Sequence, residues 1–149
     1  MDGLSHIGLK TTNIGRTGRF YTEVLGGTEL NRREGPGPRI WIQLRGVRLE
    51  FAELPAWGNF DEAQRRALPM LSFAVDPDEI DPIVAALDAA GVPHYGPAFK
   101  STGPSVGLYF SDPDGNPLAL SCDAGYVRDG LVRPTVARTW APAPYNWPA

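Results

Sequence analysis

Tyr109-Phe110-Ser111-Asp112-Pro113-Asp114-Gly115-Asn116-Pro117-Leu118-Ala119-Leu120-Ser121 reads as strand, tight turn, strand. Pro113 presets φ for the first central turn position. Asp112 and Asp114 can bond their own downstream backbone, and Gly115 accepts a positive φ without strain. Apolar residues on both sides make the stretch a hairpin. Alone, an Asp-Gly turn marks only a surface hairpin; its surroundings decide the fold.

Outward from the hairpin, strands are expected at about 92–97, 106–111 and 117–122, with Met70-Leu71-Ser72-Phe73-Ala74-Val75 as an earlier one. Asp76-Pro77-Asp78-Glu79 has the form of a capping box with proline at the first helical position. Pro82 fits poorly inside a helix, so the regular helix is expected to start there with Asp81 as its cap. Ile80, Ile83, Val84 and Leu87 form its buried face, and Gly91 stops it.

The first half has the same order. Leu4 to Leu9 reads as a short strand. Thr11, Thr12 and Asn13 offer capping oxygens for a helix over about 14–25, in which Phe20 with Val24 and Tyr21 with Leu25 share an apolar face. Gly26-Gly27 ends it. Strands follow at about 28–33, 39–45 and 47–53, the last two joined by a tight turn near Gly46. Strand, helix and three strands thus occur twice, a repeat of about 64 residues. Residues from about 54 to 68 connect the halves, and their Trp57 and Phe60 are expected to cover a sheet edge or line a pocket mouth.

His6-Ile7-Gly8-Leu9, then Arg19-Phe20-Tyr21-Thr22-Glu23-Val24-Leu25-Gly26-Gly27, then Asp112-Pro113-Asp114-Gly115-Asn116-Pro117-Leu118 resembles the vicinal oxygen chelate (VOC) superfamily. That group includes glyoxalase I, extradiol dioxygenases, and the fosfomycin- and bleomycin-resistance proteins. The resemblance spans roughly residues 4 to 122. It implies an α+β fold: two βαβββ repeats (halves at about 4–53 and 69–122) forming one VOC domain over about residues 1–123, with a concave β-sheet cleft. An extended Pro- and Trp-rich tail follows from about 124 to 149. Its aromatics, among them Tyr126, Trp140 and Trp147, are expected to dock rather than hang free.

The resemblance also implies four ligand places for a divalent ion such as Fe, Mn, Ni or Zn: His or Gln on the first strand of each half, and Glu on the last. Matched by pattern, His6 falls on Met70 and Glu50 on Ala119. A thioether is a poor ligand for such ions and a methyl is none, and two remaining donors fall short of the three that a catalytic site usually supplies. No cofactor is therefore expected, with a divalent metal as the alternative if His94, Tyr109 or Cys122 supply substitute ligands.

His6 and Glu50 are the candidate acid–base pair, a carboxylate orienting an imidazole. The plainer alternative is a core histidine satisfied by a neighbour. Candidate ligand-binding residues are Trp41, Arg39, Arg48, Trp57, Phe60, Met70, Tyr109 and Ala119. Arg39 and Arg48 can clamp an anionic group or simply face solvent, and Trp41 can line a cavity or fill the core. Two functions stay open. One is a binding protein that sequesters an apolar or aromatic small molecule in the manner of bleomycin-resistance proteins. The other is a lyase, isomerase or ring-cleaving enzyme, with displaced metal ligands or with His6 and Glu50 alone. The resemblance implies a homodimer.

Composition bounds the rest. The chain has 149 residues, long enough for one domain with a real core. A net charge of −3 gives no basic field for nucleic acid. The 17 glycines and 15 prolines imply short elements and many turns. The single Cys122 allows neither an internal disulfide nor a cysteine metal cage. No apolar run nears the ~20 residues of a membrane span, and no signal pattern opens the sequence, so a cytoplasmic protein with no membrane partner is expected.

Overall fold

Strand, helix and three strands recur twice along the chain. The computed structural model describes residues 3–100, 104–128, 131 and 143–148. They form two compact units, one of residues up to Asn59 together with Tyr145 onward, the other from Phe60 to Pro144. Among the described residues no helix is long and apolar enough to cross a membrane.

In the first unit, β1 (Ile7–Thr11), β2 (Thr28–Arg33), β3 (Arg39–Leu44) and β4 (Val47–Glu53) make one sheet in the order β1-β4-β3-β2. The β1–β4 pair is parallel and the others are antiparallel. Arg45 and Gly46, at φ 48° and 78°, form the two-residue link between β3 and β4, a backbone that matches the strands' twist. Period-2 alternation then sorts the side chains. Ile40, Ile42, Leu49 and Phe51 are fully buried on one face, each stabilising the fold by roughly 1.5–3 kcal/mol. Arg39, Trp41, Gln43, Arg48 and Glu50 share the other.

The helix lies on the apolar face. Asn13 caps α1 (Ile14–Arg19), its side chain accepting from the Arg16 N–H at 2.8 Å. The expected helix changes character halfway, because Phe20–Val24 is a π-helical turn. There the Thr22 hydroxyl donates to the Gly18 carbonyl at 2.8 Å, the back-bonding that disturbs a regular ladder. Tyr21 meets Phe51 at 4.7 Å between ring centroids. Phe20 meets Trp147 edge-on at 5.6 Å, and Arg19 stands over the same indole at 5.2 Å. This end of the tail is thus docked by its tryptophan; Trp140 lies outside the described residues.

The second unit repeats the plan with β5 (Leu71–Ala74), β6 (His94–Phe99), β7 (Val106–Ser111) and β8 (Pro117–Cys122), ordered β5-β8-β7-β6. The hairpin from which the fold was read joins β7 to β8. Asp112 Oδ1 accepts from the N–H groups of Asp114 and Asn116 at 3.0 and 2.9 Å, and Oδ2 accepts from the Asn116 amide at 2.8 Å.

Four expectations need correction. The helix of this unit, α3 (Ile80–Ala89), starts before Pro82, which sits in its first turn, where a missing N–H costs nothing. The Asp76–Glu79 capping box and a short 3₁₀ turn lead into it. Asp81 is not its cap; it accepts from the Tyr126 hydroxyl at 2.5 Å. The strand expected at about 92–97 begins only at His94, because the Val92 N–H closes the helix end on the Leu87 carbonyl. The connector holds a one-turn helix, α2 (Glu62–Arg66), with its own capping box between Asp61 and Gln64. Finally, β1 starts at Ile7 and leaves Leu4 at 74% exposure.

Candidate functional site

Strand pairing tests the pattern match between the halves. Gly8 lies beside Glu50 in the β1–β4 ladder, and Ser72 lies beside Ala119 in the β5–β8 ladder. Counting back two residues on each first strand sets His6 against Met70. Glu50 and Ala119 therefore hold equivalent places, as the pattern predicts. Met70 is 48% exposed and Ala119 fully buried.

Around Glu50 the first unit gathers three of the other predicted residues. Trp41 is its direct cross-strand neighbour and donates from Nε1 to Oε2 at 3.2 Å. Arg39, one diagonal away, donates from its guanidinium to Oε1. His6 Nε2 stands 3.4 Å from Oε2, and His6 Nδ1 lies 3.0 Å from the Ser5 hydroxyl. The Glu50 side chain is only 15% exposed, whereas that of His6 is 46% exposed. Burial pushes the Glu50 carboxyl up. The hydrogen bonds from Arg39 and Trp41, with the charges of Arg39 and His6, outweigh it and hold the group below its ordinary value.

The other predicted residues fall elsewhere. Arg48 shares the face of Glu50 two residues along β4 and is exposed. Trp57 lies in the loop after β4, its N–H bonded to the Leu54 carbonyl. Phe60 opens the second unit, and its carbonyl accepts from the Arg65 guanidinium. Tyr109 stands across from Ala119 on the second sheet, its ring 6.3 Å from that of Tyr95. Burial first, then Tyr95, raises its phenol above the ordinary range.

The substitute donors are engaged locally. His94 meets the Val92 carbonyl at 3.1 Å and Asp88 at 3.6 Å, and the buried Cys122 thiol donates to the Ala124 carbonyl. Among the described residues, no group of three or more His, Cys, Asp or Glu side chains is placed to hold a metal ion.

Sequence reading missed two features. The bond from Trp41 to Glu50 had a signal: a two-residue turn at Arg45-Gly46 sets residues 44 and 47 opposite, and three steps back along each strand is 41 against 50. The second is a lysine and serine cluster on the second sheet, in which Lys100 Nζ donates to Ser121 Oγ and Ser121 Oγ lies against Ser72 Oγ, both at 2.6 Å. No spacing in the sequence announces it.

The sequence model of the Glyoxalase/Bleomycin resistance protein/Dioxygenase superfamily matches residues 3–120. No curated protein matches the chain. Solved structures do. A glyoxylase/bleomycin resistance protein/dioxygenase domain from Frankia sp. EAN1pec is 27% identical, with TM-score 0.69 over 87% of this chain and 95% of that one. Integron cassette protein HFX_CASS4, from the mobile metagenome of a Halifax Harbour sewage outfall, is 28% identical, with TM-score 0.64 over 82% and 99%. The fosfomycin resistance protein FosX from Listeria monocytogenes is 20% identical, with TM-score 0.68 over 82% and 93%, a likeness of fold. FosX has also been crystallised with Mn(II) and sulfate.

Proposed function

The chain belongs to the Glyoxalase/Bleomycin resistance protein/Dioxygenase superfamily, and from that premise we propose that it binds a small organic molecule on the polar face of its first sheet, without the superfamily's full set of metal ligands. The observation that carries this reading is the engagement of both Glu50 oxygens. Arg39 takes Oε1, while Trp41 and His6 take Oε2. A carboxylate that holds a divalent ion turns its lone pairs to the ion. This one is turned to fixed donors and already has a guanidinium as counter-charge. The equivalent places in the second half supply a thioether and a methyl. This donor set does not suit a divalent ion.

What remains is a recognition surface. Arg39 keeps further N–H donors for a carbonyl or carboxylate oxygen, and the Trp41 ring offers a flat apolar wall beside it. An aromatic molecule carrying an oxygen suits that pair, and reversible sequestration of the bleomycin-resistance kind is the function it supports best. We include a homodimer in this reading, to be checked by sedimentation.

A second reading has its own support. In the tautomer that carries its proton on Nε2, which stands 3.4 Å from Glu50 Oε2, His6 Nδ1 is the acceptor in its contact with the Ser5 hydroxyl, and a substrate O–H or C–H acid that displaces Ser5 meets an oriented base. This would be a metal-free acid–base enzyme.

The test combines elemental analysis with calorimetry. The purified chain, free of tag and chelator, is incubated with Mn, Fe(II), Co, Ni or Zn and its bound metal measured; it is then titrated with metal-free bleomycin and a panel of aromatic acids. The expected result is metal well below one equivalent and saturable binding of an aromatic ligand, weakened by Trp41→Ala and Arg39→Ala but kept in His6→Ala. About one equivalent of metal, lost in His6→Ala, would overturn the proposal. Turnover of a ligand abolished by His6→Ala would favour the enzyme.

A further inference from the structure

The second sheet carries a cationic cluster that the reading of the first does not use. Ser72 pairs with Ala119, and Ser121 follows two residues along β8, so both serines project from one face. Their hydroxyl oxygens are 2.6 Å apart. Lys100, just past the end of β6, donates from Nζ to Ser121 Oγ at 2.6 Å, and its backbone N–H is fixed on the Ser105 carbonyl. The three side chains therefore form one chain: ammonium, hydroxyl, hydroxyl.

Counting protons shows what the cluster lacks. An ammonium has three donors and no acceptor, and each serine has one donor. One ammonium proton goes to Ser121. The serine pair shares a single hydrogen bond, which uses one hydroxyl proton and leaves the other. Two ammonium protons and one hydroxyl proton remain, all at the same spot, and Ser72 is exposed to solvent. Among the described residues no carboxylate forms an ion pair with Lys100. Among the described residues the cluster is a positive charge with convergent donors and no anion of its own.

The neighbouring strand keeps the place open. Ser121 pairs with Gly107 on β7. A Cβ at Gly107 would stand 2.5 Å from Tyr109 Oη and 2.7 Å from its ring carbons, so the glycine lets the tyrosine lie flat along the sheet. The phenol is thereby brought over the row that holds Ser121. Its raised pKa keeps it protonated, a further donor.

We propose that Lys100, Ser121 and Ser72, with the Tyr109 phenol beside them, bind the oxyanion of a small organic ligand, a carboxylate or a phosphate-type group. The site stands independently of the Glu50 cluster. Three or four donors around one charge match an oxyanion's several lone pairs, and lysine supplies a point charge that does not demand one planar geometry.

The test is a titration of the isotope-labelled full chain with inorganic phosphate at constant ionic strength, followed by amide nuclear magnetic resonance, with acetate as a second arm. Saturable shifts centred on Ser72, Ser121 and Lys100 are expected, with affinity about tenfold weaker in Lys100→Met and in Ser121→Ala. Saturation by acetate alone, by phosphate alone or by both identifies the ligand's anionic group and supports the site. Shifts that grow without saturation, that centre elsewhere, or that are unchanged in both variants overturn it. The dispersion of each variant's spectrum checks its fold; if Lys100→Met is unfolded, Ser121→Ala decides.

Discussion

Trp41 stands directly across the β3–β4 ladder from Glu50, and its indole N–H donates to Glu50 Oε2 at 3.2 Å. The bond places a polar handle where an aromatic would otherwise give only area. Trp41→Phe keeps an aromatic ring, though a smaller one, and removes the donor. The Glu50 carboxyl should then titrate closer to its ordinary range, because one of the bonds that offset its burial is gone. Stability should fall by about 1 kcal/mol. A carbon-detected titration of the glutamate carboxyls, with urea unfolding, checks both. An unchanged Glu50 titration would mean the bond does not form in solution.

The same carboxyl sets a pH dependence. Its folded-state pKa is depressed, so its stabilising contribution is fully present above the ordinary glutamate range. That contribution is lost as pH falls through the folded value. Glu50→Gln removes it. The gap in urea midpoint between the wild type and Glu50→Gln should be widest near neutrality and close as the solution is acidified. Arg39 is partly exposed, so solvent screening keeps the ion-pair share of this gap within about 1 kcal/mol. The background from other carboxyls, such as Glu29, which its hydrogen bond to Arg32 holds low, cancels in the difference.

Much of the fold was legible because its signals are local. Alternation in β3 and β4, the glycine stop after the first helix and the Asp112 hairpin each depend on a few adjacent residues. The equivalence of Glu50 with Ala119 was legible because two copies of one unit can be compared within a single chain. The misses have physical reasons too. A proline is excluded only from a helix interior, and α3 starts just two residues before Pro82, at Ile80, so the proline stays within the first turn. The Arg39 bond to Glu50 is diagonal, and alternation fixes only the shared face. Lys100, Ser121 and Ser72 come from three separate stretches, and only the β5–β8 pairing and the end of β6 bring them together.

The first unit holds a buried hydroxyl pair. Thr11 Oγ1 and Thr17 Oγ1 lie 2.6 Å apart, and Thr11 Oγ1 also accepts from the Asn13 N–H at 3.0 Å. Both threonines are buried. Thr11→Val keeps the shape and strands the Asn13 donor next to the helix cap. A loss of about 1–3 kcal/mol is expected, measured by urea unfolding. Thr17→Val, which leaves the Asn13 bond intact, should cost less. Equal losses would place the stabilisation in the hydroxyl pair itself.

Asp112 anchors the hairpin on which the fold turns. Its side chain is fully buried and accepts from two backbone N–H groups and the Asn116 amide. Asp112→Ala leaves these donors without that acceptor in a place with little water, so a loss of about 3 kcal/mol is expected. Asp112→Asn separates geometry from charge. Its carbonyl oxygen can still accept from Asp114 and Asn116, but its amide then faces the Asn116 amide, donor against donor. It should recover part of the loss, and the double variant Asp112→Asn with Asn116→Asp, which restores a donor and an acceptor across that contact, should recover more. Thermal unfolding of the wild type, Asp112→Asn, Asn116→Asp and the double variant gives the coupling. If Asp112→Asn matches the wild type, the Asn116 amide bond contributes nothing, and the side chain acts only through the two backbone N–H groups it accepts from.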